Sequence, residues 1–208
     1  GRSPGPVQQD HRGGDEAPRD EEVDADVIKA LQPAVAHLAQ VQEVVQRAGA
    51  EQGDEAEAVD AGCGDGRIVA LASSMGIPAW GVESDEELIA IAKQNLINLH
   101  SLEIIKNTPA FIIQGDFCNN TTYQTLGTSF SDFGTIYNYD NNYDLLAQKI
   151  AGEANPNAIY VLYSGDESTE SFSGLVLIEE LILCDGSGRP SVNLELAQAY
   201  VRVYRIET

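Results

Sequence analysis

Apolar positions follow two rhythms along this chain. Between Asp24 and Ala48, Val27, Ile28, Leu31, Val35, Leu38, Val41, Val44 and Val45 recur at helical spacing. Pro33 lies inside that run and either splits it into two helices or marks a first turn. Residues 1–22 offer almost nothing to bury and predict a flexible acidic tail. Gly49 to Glu57 is a polar connector. From Ala58 onward, short apolar runs alternate with longer amphipathic ones. Strands are predicted over Ala58–Asp60, Ala79–Glu83, Ala110–Gln114, Thr135–Tyr139 and Ala158–Ser164. Helices are predicted over Arg67–Ser74, Asp85–Leu99 and Tyr143–Ile150, the second capped by Ser84 with Glu87 completing a capping box. Two further strands, Leu175–Cys184 and Ala199–Ile206, flank a Gly/Pro/Ser loop with no crossover helix between them.

Strands alternating with helices predict an α/β fold with a doubly wound, mostly parallel sheet. The last two strands predict an antiparallel C-terminal hairpin. The division that follows is a tail (1–22), an N-terminal helical segment and linker (23–57) and a single domain (58–208). A chain of 208 residues supports one sizeable core.

Charge changes the picture of partners. The chain holds 33 Asp and Glu against 12 Lys and Arg, a net charge of -21. The body is acidic as well as the tail, because residues 60–208 alone hold 20 acids and 7 bases. This excludes a generic nucleic-acid binder, which needs cations to displace phosphate counterions. It also argues against docking on an anionic membrane. Two accounts of the acidity stand: solubility or salt adaptation, and a basic partner or substrate. Cys63, Cys118 and Cys184 make no disulfide framework, which favours a reducing, cytoplasmic setting. With His11, His37 and His100 they make no metal-ligand pattern either, and no metal is expected.

The candidate chemistry lies in Asp60-Ala61-Gly62-Cys63-Gly64-Asp65-Gly66-Arg67, between a short strand and a helix. Gly62, Gly64 and Gly66 permit a tight turn and close approach of a ligand to the backbone. The following helix aims its positive end at the loop. Asp60 would repel a pyrophosphate but suits a cationic ligand. The dinucleotide fingerprint wants Gly or Ala where this chain has Arg67. Glu83 ends the second strand, where an acid hydrogen-bonds ribose hydroxyls in nucleotide-type folds. Asp116 follows the third strand, placed to accept from an adenine amine, with Phe117 beside it to pack on the ring. Three acids thus end three successive strands.

The stretch from Val59 to Leu96 resembles the cofactor half of class I, seven-strand S-adenosylmethionine-dependent methyltransferases, and the resemblance extends over about residues 58–206. It implies S-adenosylmethionine as cofactor, held by Asp60, Gly62, Cys63, Gly64, Gly66, Glu83, Ser84, Asp116 and Phe117. It implies an acceptor edge at the end of the fourth strand, where Asn138, Tyr139 and Asp140 are the candidate catalytic residues. The Gly-Cys-Gly-Asp-Gly-Arg wording is similar to a subset that includes small protein-lysine methyltransferases. The family's amino-methyltransferase signature, an Asn or Asp followed by two prolines and an aromatic residue, is absent, which argues against DNA-base or glutamine N-methylation. The expected activity is methyl transfer to an amine, protein lysine ahead of a small molecule. The alternative is a cofactor-binding interaction module without turnover. The oligomeric state is not encoded in any feature of the sequence.

Overall fold

The computed structural model describes residues 57–105, 108–125, 127–165, 171–183 and 199–207. The predicted tail, the N-terminal helical segment, the Gly/Pro/Ser loop, His11, His37 and Cys184 lie outside the described residues.

Seven strands form one sheet: β1 (Glu57–Ala61), β2 (Ala79–Glu83), β3 (Ala110–Gln114), β4 (Phe133–Tyr139), β5 (Ile159–Ser164), β6 (Leu175–Leu183) and β7 (Ala199–Ile206). Their order is β3-β2-β1-β4-β5-β7-β6. Strands β1 to β5 pair in parallel, and β7 runs antiparallel between β5 and β6. The doubly wound sheet and its antiparallel end are therefore as the sequence predicts. The strand order reverses between β1 and β4, so a ligand crevice belongs outside their carboxyl ends.

The helices are α1 (Arg67–Ser74), α2 (Glu86–Ser101), α3 (Asn120–Gln124) and α4 (Tyr143–Glu153), with a 3₁₀ turn over Phe130–Asp132. Helix α2 starts one residue later than expected, because Asp85 rather than Ser84 is its cap. The Asp85 carboxylate accepts from the backbone N–H groups of Glu87 and Leu88 at 2.8 and 3.1 Å.

Strand alternation divides the core. Val59, Ala61, Val82 and Ile136 face one side and pack with Leu146 and Ile150 of α4. Tyr137, Val161, Val201 and Val203 face the other. On that second side, Cys63 and Val69 pack with Ala79 and Leu96.

Gly81 of β2 lets the loop after β1 settle on the sheet. A Cβ there would lie 2.7 Å from the Cys63 sulfur and 2.8 Å from a Val69 methyl. Gly81→Ala is expected to cost about 1–3 kcal/mol, the range for overpacking a core. Chemical denaturation checks this through a lowered midpoint at unchanged slope.

Candidate functional site

The turn from β1 into α1 is built from alternating left-handed residues. Gly62, Gly64 and Gly66 have φ of 82°, 53° and 77°. Gly66 serves as the N-cap of α1 without a side-chain cap, so the helix start stays open toward the loop. Backbone bonds tie the turn to β2: the N–H groups of Gly62 and Cys63 both donate to the Val82 carbonyl, at 2.9 and 3.0 Å. From the other side, the Asn95 side chain of α2 donates to the Asp65 carbonyl at 3.0 Å.

Glu83 completes this frame. One carboxylate oxygen accepts from the Gly64 N–H at 2.9 Å; the other accepts from the N–H groups of Ser84 and Asp85 at 2.8 and 3.0 Å. A carboxylate has about four lone-pair positions. Three are taken by backbone, and the fourth is on the oxygen facing Gly64. Among the described residues, a Cβ on Gly64 would meet nothing within 4 Å, so there the loop presents bare backbone to open space.

Asp60 lies beneath that loop. It is 4% exposed, and its Oδ2 has no hydrogen-bond partner. Burial, then the neighbouring Glu83 and Asp65 carboxylates, push its pKa up to about 8. Among the described residues no cation offsets this; Arg67 is held by Asp65 through contacts of 2.9, 3.2 and 2.6 Å. That pairing holds the Asp65 carboxyl below its ordinary range. Cys63 is buried, and desolvation raises its thiol pKa well above the ordinary value. It fills space against β2 rather than offering a thiolate.

The remaining predicted residues divide. Ser84 is exposed and sits against Glu83. Asp116 is exposed, and one of its oxygens accepts from the Cys118 N–H at 2.8 Å. Phe117 is not an open stacking surface: it is 6% exposed and belongs to the core. Its ring edge would lie 3.7 Å from a Cβ on Gly62, so it supports the loop from below.

Asn138 departs most from its expected role at the acceptor edge. It is fully buried. Its amide donates to the Ala61 carbonyl at 2.8 Å and to the Asn141 carbonyl at 3.0 Å. Both N–H protons are thus engaged in tying the end of β1 to the loop after β4. Tyr139 points to the other face and is 59% exposed. Asp140 is exposed and left-handed, with φ of 41°; its N–H donates to the Tyr163 carbonyl at 3.0 Å.

Three contributors were not singled out from the sequence. Asn95 holds the loop from a helix face and carries no local signal. Asn141 packs on Gly62, whose Cβ would lie 3.3 Å from the Asn141 amide nitrogen. Tyr163 stacks on Tyr139, with ring centroids 4.5 Å apart and planes 17° from parallel. Among the described residues, no group of three or more His, Cys, Asp or Glu side chains is placed to hold a metal ion.

No protein-family model and no curated protein matches the sequence. Solved structures do match. The chain is similar to magnesium protoporphyrin IX methyltransferase from Synechocystis PCC 6803, a structure with bound S-adenosylmethionine. The TM-score is 0.54 at 15% identity, covering 83% of this chain and 81% of that one. It is also similar to an rRNA methyltransferase from Streptomyces viridochromogenes, with TM-score 0.55 at 11% identity, covering 78% and 82%. The chain has the Rossmann-like, seven-strand fold of class I S-adenosylmethionine-dependent methyltransferases.

Proposed function

We propose that this chain, on the fold of the class I methyltransferases, binds S-adenosylmethionine at the carboxyl edge of β1 to β3 and methylates an amine. The observation that carries the reading is the buried, unpartnered Asp60 oxygen beneath a loop of three left-handed glycines. An orphaned carboxylate costs stability unless a ligand compensates it. A cation is the ligand that does so, and the open backbone at Gly64 gives it room to approach.

Each residue has a part in holding the group. Asp60 supplies the countercharge. Gly62 to Gly66 provide close backbone contact. Glu83, already fixed by three backbone N–H groups, accepts from a ribose hydroxyl with its remaining lone pair. Asp116, exposed after β3, accepts from the adenine amine. When bound, the cofactor supplies a methyl group on a positively charged sulfur, a good leaving group. The protein's remaining task is to place the acceptor in line and to keep it neutral at the moment of attack. Asp140 is the exposed carboxylate at the acceptor edge that takes the proton from an incoming ammonium.

Glu83→Ala is expected to weaken cofactor binding by about 1–3 kcal/mol, the range for losing a hydrogen bond to a charged group. Titration calorimetry checks it, and wild-type affinity in the variant would remove the ribose assignment. The acceptor class is tested by radiolabelled methyl transfer into a fractionated lysate. Label in protein or in small amines is the expected result. Label confined to RNA would overturn the amine reading.

A second reading, a cofactor-binding interaction module, draws on Asn138, whose amide protons are both engaged within the protein. It predicts cofactor binding with no label transferred to any fraction.

A further inference from the structure

The stacked pair Tyr139–Tyr163 is the feature that the cofactor site does not use. Tyr139 is more than half exposed, and its ring lies against Tyr163 at the ends of adjacent parallel strands. Burial, then Tyr139, raise the pKa of the Tyr163 hydroxyl, so the backing ring is a neutral phenol near neutral pH. The open ring, held in place by a second, offers an aromatic face that a ligand can cover.

Its position follows from register. Asp60 pairs with Tyr137 across β1 and β4, and Tyr139 lies two residues further toward the carboxyl edge. Alternation puts Tyr137 and Tyr139 on one face of β4, the face opposite to buried Asn138. The Asn138 bridge from Ala61 to Asn141 fixes the turn that follows. In that turn Asp140 and Asn142 both hold left-handed conformations, with φ of 41° and 49°. The Asp140 N–H closes it onto the Tyr163 carbonyl. Asn138 therefore acts as a positioning residue for the tyrosine pair.

Charge decides what the pair receives. Among the described residues of the loops after β1 to β4, the acids are Asp65, Asp116 and Asp140, with Glu83 and Asp85 beside them. Among the described residues, the cation at this edge is Arg67 at the start of α1; it lies within electrostatic reach of Tyr139 and is already held by Asp65. Tyrosine π-faces attract cations within about 6 Å of the ring centroid, and the acidic field of this sheet edge adds to that attraction. A phosphate-bearing acceptor would meet repulsion on the same surface.

We infer that the Tyr139–Tyr163 pair is the seat of the methyl acceptor and receives it as an organic ammonium ion. The inference rests on the amine-methyltransferase reading. It assigns Tyr139 the cation-facing ring and Tyr163 the role of backing it. Asp140, next in the chain, takes the proton as the ammonium becomes the attacking amine.

The test uses the full chain and two probes of equal shape, choline and its uncharged isostere 3,3-dimethylbutan-1-ol. Ring resonances of the tyrosines are followed by NMR, with Tyr139→Phe and Tyr139→Ala alongside. Choline is expected to shift the Tyr139 and Tyr163 rings, and the neutral isostere to leave them in place. Tyr139→Phe should keep the response at Tyr163 and Tyr139→Ala should lose it. Equal response to both probes, no response to choline, or a response that survives Tyr139→Ala would overturn the inference. Calorimetry with S-adenosylmethionine on the same samples keeps the two readings apart. Cofactor binding that is normal in Tyr139→Ala, beside a lost choline response, is the expected pattern. A choline response at the pair in a protein that binds no cofactor would overturn the methyltransferase reading, and with it the assignment of this pair as an acceptor seat.

Discussion

Asp60→Asn is expected to stabilise the ligand-free protein while abolishing cofactor binding. The sign follows from the two protonation states. Asp60 ionises near 3.8 when exposed and near 8 in the fold, raised first by burial and then by Glu83 and Asp65. Between those pH values the native state holds a proton that the unfolded state has released. Stability from this group therefore falls as pH rises from about 4 to about 8 and is level above that. Asparagine has the same shape and no charge to bury, so the variant escapes the penalty. The gain should grow with pH and reach a few kcal/mol, the scale set by a shift of several pKa units. Thermal unfolding of both proteins across that pH range measures it. A variant melting at or below wild type at alkaline pH would show that Asp60 is not the strained group described here. Binding should move the opposite way. Without the carboxylate, a cationic ligand loses its countercharge, and affinity should fall at least a hundredfold.

Gly64→Val is expected to remove binding by a different route. At φ of 53° a β-branched residue is strained by about 1–3 kcal/mol. A Cβ there meets nothing within 4 Å among the described residues, so the described fold leaves room for a side chain at this point. Under the proposed function that room is the ligand's. The variant should stay folded by circular dichroism, lose some stability, and show no measurable cofactor binding. Gly64→Ala separates the two effects, with similar strain but less intrusion, and should bind weakly. Gly66 makes the contrast. A Cβ there would approach the Ala92 Cβ at 3.0 Å, so substitution should disturb the packing of α1 on α2 before it reaches any ligand. Near-normal binding by Gly64→Val would mean that the open side of the loop is not the ligand's side.

Much of this architecture is legible in the residues. Apolar runs and turn residues place β2, β3, β7 and α1 at their observed limits, the first two and α1 because Gly or Pro bounds them. Helix α3 is not legible: it is a single polar turn capped by Asn119, with no apolar period to reveal it. The cap of α2 is ambiguous because Ser84 and Asp85 are both good caps, and only the geometry of the turn selects Asp85. In the site, Asp60, the glycines and Glu83 are readable as a motif, and the Gly64–Glu83 bond joins them physically. Asn138 is harder. Its chemistry suits an acceptor edge, yet the alternation of β4 puts it with Ile136 on the buried face, and that parity outranks residue type. Tyr163 is hidden for the opposite reason. It closes an apolar strand that reads as core, and only its pairing with Tyr139 shows that it reaches the edge. Under the proposed function, part of the net charge of -21 likewise gains a local meaning, with Asp60, Glu83 and Asp116 assigned to one cationic, ribose-bearing ligand.

The proposed function stands on one event, the pairing of a cationic cofactor with an ionised Asp60. Calorimetric titration of the wild-type protein with S-adenosylmethionine, at neutral pH in two buffers of different ionisation enthalpy, tests it most directly. Saturable binding with release of close to one proton is expected, because Asp60 is protonated before binding and ionised after it. Affinity should then rise about tenfold per pH unit up to about pH 8. Absence of binding at sub-millimolar concentration, or binding without proton release, would contradict it.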